Sequence, residues 1–356
     1  MIRPKSPELP GRALPHHPVR PAYDVMLRLF CYFLPALLWG AGVLRAAGHG
    51  YAATVHPLAT EAALEAMKSG GNAVDGAIAA AAMLGVVDGH NSGIGGGCFL
   101  LIRKPDGTFL ALDGREKAPA AATRDLFVRD GKAQPTLSQE GPLAAAVPGW
   151  LAALDEAART VGKHPLARAF EGAAKVAEEG FVPDAGFAAR VKQWRPVIEK
   201  HPATAAVLLA PLTGGKHRLP DLAATYRSIA REGAGWFYRG PFAGKTGDWM
   251  KQNGGIMTAA DFAAYQVKIR EPLRSTYRGL EVIGFPPPSS GGVHVAQILN
   301  ILEHFPLRHF RASSRIHVIT EAMKLAFADR AYWLGDPDFA PVPKGLVDPA
   351  YAAELA

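Results

Sequence analysis

Cysteine is nearly absent: Cys31 and Cys98 are the only two among 356 residues. Cys31 sits in an apolar run that reads as a removable leader, so the mature chain would keep a single thiol. That excludes an intrachain disulfide framework and a Cys-based metal site. Metal-ligand spacing is missing too. His56, His90, His294 and His317 lie far apart with no H-x-x-x-H or H-E-x-x-H pattern, so neither a metal nor any other cofactor is expected. No Lys/Arg-rich run with interleaved aromatics occurs in the body of the chain. The formal net charge is +7, but Arg3, Lys5, Arg12, Arg20, Arg28 and Arg45 against Glu8 and Asp24 place +4 of it in the first 48 residues. Only +3 is left for the remainder, and nucleic acid is not an expected partner.

Two familiar signatures fail as well. The glycines Gly93, Gly95, Gly96 and Gly97 would need a further Gly where Cys98 stands to form a dinucleotide fingerprint, and a strand follows them rather than a helix. Close backbone approach, to another strand or to a ligand, is what remains for them. Ser289-Ser290 in "PPPSSGG" lacks the Gly-x-Ser-x-Gly elbow and reads as a turn and the start of a helix. Asp336-Pro337-Asp338 likewise reads as a turn rather than a catalytic carboxylate pair.

What is present is the composition of a globular protein, 49% hydrophobic and 20% charged. Residues 1–48 form an N-terminal extension and residues 49–356 the main region, with no internal repeat and no clear linker within it. In the extension, Arg28 precedes "LFCYFLPALLWGAGVL" and the small residues Ala46, Ala47 and Gly48, the pattern of an export signal. Met26 is then the expected start and Gly48 the expected cleavage point. The destination would be periplasmic or extracellular, with an uncleaved membrane anchor as the alternative.

Helices are expected from Ala59 to Ser69, ending at Gly70-Gly71, and again after Asn72, with Asp75 three residues on. The second helix, "AIAAAAMLGVV", is apolar nearly all round, so it must be buried, and its small side chains suit packing against a sheet. Strands Cys98–Arg103 and Thr108–Asp113 flank the turn Pro105-Asp106-Gly107. Further helices are expected over about Pro165–Glu179 and after Thr258, whose partner Asp261 completes a capping box. A strand in "YRGLEVIGF" leads through Pro286–Pro288 to a helix. Its stripe Val295, Ile298, Leu302, Phe305 and a second stripe Ile316, Ile319, Met323, Phe327 read as core faces.

The hairpin ends in Asp113-Gly114-Arg115-Glu116-Lys117, where a buried strand should stay apolar. An arginine projecting from a rigid strand end suits two-pronged binding of a carboxylate or phosphate. A solvated strand end with paired charges is the plainer alternative for Arg115, and a simple salt bridge is the plainer one for Glu116.

Six stretches taken in order are "HPLATEAALEAMKSGGNAVDGAIAAAAMLGVVDGHNSGIGGGCFLLI", "ALDGREKAPAAATRDLF", "AAVPGWLAALDEA", "GGIMTAADFAAYQV", "FPPPSSGGVHVAQILNIL" and "ADRAYWLGDPDF". Together they resemble the γ-glutamyltranspeptidase (glutathione hydrolase) family over roughly residues 56–356. The resemblance implies an α+β fold, the four-layer αββα sandwich of N-terminal-nucleophile hydrolases. Such a protein is made as one precursor that cuts itself into a large and a small subunit. A threonine at the new N-terminus attacks the γ-glutamyl amide of glutathione or a related compound, its own amine serving as base, and the acyl group passes to water or an amino acid. It further implies that Arg115 holds the glutamyl α-carboxylate and that Glu116 supports it. The family's Thr-Thr-His, Asp, Ser-Ser and Gly-Gly elements are absent here. The chain therefore resembles most of a large subunit, inactive alone, with the Thr-bearing small subunit as its expected partner. Two alternatives stay open: a cephalosporin (glutaryl) acylase of the same superfamily, and a non-catalytic exported binding subunit.

Overall fold

The computed structural model describes residues 50–356 apart from positions 211 and 213. The expected export signal, its start and its cleavage point lie outside the described residues. Helix α1, Pro57–Lys68, begins two residues earlier than expected. His56 accepts the Leu58 N–H through Nδ1 (3.2 Å), and Pro57 occupies a first-turn position where a missing N–H costs nothing. Helix α2, Ala73–Val87, starts at the expected cap: Asn72 Oδ1 accepts from Val74 and Asp75, while Asp75 Oδ2 accepts from Asn72 (2.7 Å).

Strands β1, Cys98–Arg103, and β2, Phe109–Gly114, form the expected hairpin, with Cys98 opposite Gly114 and Phe99 opposite Asp113. A minor two-stranded ribbon follows, β3 Val128–Arg129 and β4 Lys132–Ala133. Helix α3, Trp150–Thr160, lies across β1 and β2, and helix α4, Leu166–Glu179, packs on α2. The neighbours of α2 are therefore chiefly α1 and α4; the sheet is covered by α3 instead. The small residues of α2 are used for helix-to-helix approach: a Cβ on Gly76 would lie 3.1 Å from the Ala63 carbonyl.

Asp75 does more than cap. It is 4% exposed and also accepts the Lys163 and His164 N–H groups at 3.0 and 2.9 Å, while Asn72 Nδ2 donates to the Val161 carbonyl at 2.7 Å. One local cap thus fastens the loop between α3 and α4 to the start of α2.

Helices α5 (Ala185–Ile198), α6 (Pro202–Leu208), α7 (Pro220–Glu232), α8 (Ala234–Tyr238), α9 (Pro241–Gln252) and α10 (Ala259–Ala263) make the helical middle of the chain. Phe170 of α4 sets its edge against Trp150 (5.9 Å) and Tyr226 of α7 (4.8 Å), the heart of the main core. The Thr258–Asp261 capping box forms as expected, and Asp261 Oδ1 also accepts the Ala120 N–H at 2.8 Å.

Strand β5, Lys268–Arg270, joins β2 antiparallel, giving a sheet of order β1-β2-β5. The single strand expected in "YRGLEVIGF" is instead the second arm of a hairpin, β6 Leu273–Tyr277 and β7 Leu280–Gly284. Arg278 (φ 50°) and Gly279 (φ 81°) supply the two left-handed residues of its tight turn.

Helices α11 (Gly291–Glu303), α12 (Ala312–Trp333) and α13 (Pro349–Leu355) enclose a smaller core around Ile301, Leu302, Ala322 and Ala352. Of the first expected stripe, Leu302 is buried in this core and Ile298 and Phe305 pack against it; the exceptions are Val295 and most of the second stripe. Val295 is 49% exposed, and on α12 Ile316, Met323 and Phe327 are exposed, only Ile319 packing inward. The buried face of α12 carries Ala322 and Ala326, whose short side chains let α11 approach closely and turn the bulky stripe outward.

Replacing Asp75 by Ala leaves three part-buried backbone donors, those of Asn72, Lys163 and His164, without this acceptor. The expected loss is about 3 kcal/mol in a urea titration, against about 1 kcal/mol for an ordinary cap. A loss near the lower figure would mean that the Lys163 and His164 contacts add nothing.

Candidate functional site

Three glycines from three segments meet beneath the end of β2. A Cβ on Gly97 would sit 2.6 Å from the Gly114 carbonyl and 2.8 Å from the Glu116 nitrogen; one on Gly114 would sit 2.5 Å from Ala153 Cβ. One on Gly149 would reach 1.9 Å from the Tyr265 hydroxyl. The Gly96 carbonyl accepts from Gly149 and Trp150 (3.1 and 3.0 Å), taking the place of a side-chain cap at the start of α3. Close approach to backbone is thus the use of Gly97, whereas a Cβ on Gly95 would meet open space.

On this floor the chain leaves the sheet at Arg115. Its N–H donates to Asp113 Oδ1 (3.1 Å), its carbonyl accepts from the Tyr265 hydroxyl (2.7 Å), and Lys117 pairs with Val147 through both backbone groups. The peptide on either side of Arg115 is therefore held. The side chain is not: it is 57% exposed, rests its guanidinium 5.6 Å from the centre of the Phe99 ring, and has Glu116 as its only carboxylate partner among the described residues (Nε to Oε2, 3.2 Å). An exposed pair of this kind contributes about 0–1 kcal/mol. The pair engages Nε, at the side of the guanidinium. Sequence reasoning singled out Arg115 and Glu116, and both border a recess of about 80 Å³ together with Asp113, Tyr265, Arg270 and Asp338.

The last four were missed as site residues. Arg270 of β5 is 14% exposed and grips two acids: Nε donates to Asp113 Oδ2 (3.0 Å), and Nη1 and Nη2 donate to the two oxygens of Asp338 at 2.9 Å each. Lys268 adds a further bond to Asp338. These bonds hold the Asp338 carboxyl well below its usual range. Asp336-Pro337-Asp338 is a turn as expected, closed by the Asp338 N–H to Asp336 Oδ1 (3.0 Å), but its second acid also anchors β5. The signal that could have found Arg270 is weak, an arginine in a short strand; its partners lie 157 and 68 residues away.

The remaining candidates are not brought together. His56 caps α1, His90 pairs with Asp88 (3.3 Å), His294 is buried on α11 and His317 is exposed on α12. Ser289 Oγ accepts the Gly291 N–H (3.3 Å) and Ser290 Oγ accepts from Arg330 Nε (3.2 Å) where α11 begins. Burial, then the nearby Glu116 and Asp113 charges, push the Cys98 thiol up to about 12, so it is not a ready thiolate. A roomier hollow of about 290 Å³ between α1, α2 and α4 is lined mostly by alanines and aliphatic side chains and shares no residue with the Arg115 recess.

Because Asp338 has a depressed folded-state pKa, its contribution to stability is full above its ordinary value of 3.8 and fades as pH falls below that. The melting-temperature gap between wild type and Asp338→Asn should accordingly be constant from about pH 7 to 5 and shrink below about pH 4. A gap that does not change with pH would show that the ionised carboxylate is not what Arg270 and Lys268 hold.

Comparison with known proteins supplies the family. The gamma-glutamyltranspeptidase family model matches residues 59–356. The glutathione hydrolase proenzyme of Escherichia coli is 39% identical over 319 residues, 87% of this chain and 55% of the relative. The acylase ACY 1 proenzyme of Pseudomonas sp. strain V22 is 40% identical over 319 residues, 86% of this chain and 57% of the relative. The chain thus spans little more than half the length of these relatives. Among solved structures, γ-glutamyltranspeptidase from Helicobacter pylori superposes with a TM-score of 0.82 at 38% identity, covering 86% of this chain and 90% of that one. The fold is shared with it, which places the chain in the αββα class of N-terminal-nucleophile hydrolases. This chain belongs to the γ-glutamyltranspeptidase family.

Proposed function

We propose that this chain is the carboxylate-binding part of a γ-glutamyl hydrolase and transferase that cleaves glutathione or related γ-glutamyl amides. The observation that carries the reading is the contrast at Arg115 between a peptide fixed on both sides and an exposed guanidinium whose one carboxylate partner among the described residues is weakly held. The two-pronged face of Arg115 takes the glutamyl α-carboxylate, and Glu116, through Nε, keeps that face turned outward. The γ-amide then lies at the far end of the bound group. Cleavage there requires a nucleophile and oxyanion donors from a second half with an N-terminal threonine, since a clamp alone orients without attacking. The exposed Ile316, Met323 and Phe327 of α12 support such a partner, being a contiguous apolar face of the kind that marks an interface. The leader-like residues 26–48 support an exported enzyme.

The match to the Pseudomonas acylase favours one second reading, a glutaryl acylase. A glutaryl group offers the same terminal carboxylate without the α-amine, so Arg115 would serve both. With the chain joined to a Thr-initiated second half, faster turnover of γ-glutamyl anilide than of glutaryl anilide is expected, and the reverse preference would assign the acylase.

Binding of L-glutamate to the chain, measured by calorimetry, tests Arg115 directly. Arg115→Ala should abolish it, and Arg115→Lys should weaken it about 10-fold despite the retained charge, because a point charge cannot reproduce a planar fork. Equal affinity in wild type and Arg115→Ala would remove the residue from the site.

A further inference from the structure

We infer that Arg270 is a positioning residue for Arg115, acting through Asp113, with Tyr265 as the matching restraint on the other side of the same residue. The inference rests on the reading of Arg115 as the carboxylate-binding side chain.

The geometry runs in one line. Asp113 is 6% exposed and divides its two oxygens: Oδ2 receives Nε and Nη2 of Arg270 at 3.0 Å, and Oδ1 receives the Arg115 N–H at 3.1 Å. A buried carboxylate keeps its charge and its rotamer only when a cation and further donors occupy it. Arg270 supplies that cation from the neighbouring strand, and its own orientation is set by the two-pronged contact with Asp338. The turn 336–338, strand β5 and the end of β2 are thereby fastened into one frame. Its output is the angle at which the residue-115 peptide leaves the sheet.

Tyr265 closes the frame from the opposite side. Its hydroxyl donates to the Arg115 carbonyl (2.7 Å), and its ring stacks on Tyr238, centroids 5.7 Å apart. Tyr238 is itself fixed by donating to the Pro148 carbonyl (2.9 Å). The guanidinium sits on the order of 6 Å from its Cα, so a swing of about 10° there displaces it by about 1 Å, enough to spoil a two-pronged contact. No atom of Arg270 needs to touch substrate for its loss to be felt there.

Arg270→Gln, Arg270→Lys and Tyr265→Phe in the full chain provide the test, with folding checked by near-UV circular dichroism. In Arg270→Gln, amide hydrogen exchange at Arg115 is expected to accelerate at least about 10-fold while Leu110 and Leu112 keep their protection. L-Glutamate affinity should fall about 10-fold, Arg270→Lys should recover part of it, and Tyr265→Phe should fall in the same direction. In an Arg115→Lys background, Arg270→Gln should cost less than about two-fold, because the two residues act as a unit. A folded Arg270→Gln with unchanged Arg115 exchange and unchanged affinity would overturn the inference, as would full additivity with Arg115→Lys. If Arg270→Gln does not fold, undiminished affinity in Tyr265→Phe overturns it. Failure of the underlying reading looks different: glutamate binding that is absent from wild type, or unaffected by Arg115→Ala, removes Arg115 from the site and the positioning role with it.

Discussion

A single buried carboxylate organises the site. Asp113 lies where a strand buried on both faces would ordinarily carry an apolar residue, and it is tolerated because Arg270 neutralises it and the Arg115 amide fills its other oxygen. The neighbouring features follow from that arrangement. Strand β5 must pair beside β2 for Arg270 to reach, the 336–338 turn must fold back to receive the same guanidinium, and residue 97 must lack a side chain so that the backbone at residues 114–116 can settle onto it. Charge, strand order and glycine placement are three expressions of one constraint.

Much of the fold could be read from local chemistry. The Asn72–Asp75 and Thr258–Asp261 boxes announce their helices because capping is settled within four residues, and Pro105-Asp106-Gly107 announces the hairpin for a similar reason. What local chemistry could not convey was second use. Asp75 also collects amides from Lys163 and His164, Asp261 also receives the Ala120 amide, and Asp338 closes a turn while anchoring a strand. The β6–β7 hairpin was hidden because its turn is Arg-Gly, with an arginine rather than Asn or Asp in the first left-handed position. The α12 stripe misled because periodicity reports that a face is apolar without saying what covers it.

At the site the division is similar. Arg115 stood out because a run of charges interrupts a strand, and the role proposed for it comes from the family likeness. Its supports did not stand out: Arg270 and Tyr265 are ordinary residues in "YQVKIREP", and their importance comes from contacts spanning about 150 residues. The two arginines divide the labour by burial. Arg270 is enclosed among acids and serves the scaffold, whereas Arg115 is left in solvent with one exposed ion pair, to Glu116, among the described residues.

The grip on residue 115 has a consequence for how such a site changes over time. Asp113 and Tyr265 hold only the amide and carbonyl that every amino acid possesses, so the socket does not recognise the side chain seated in it. A replacement at 115 alters the exposed side chain while its point of attachment stays put. A change at this one codon therefore swaps the exposed group without rebuilding the scaffold beneath, a modular economy.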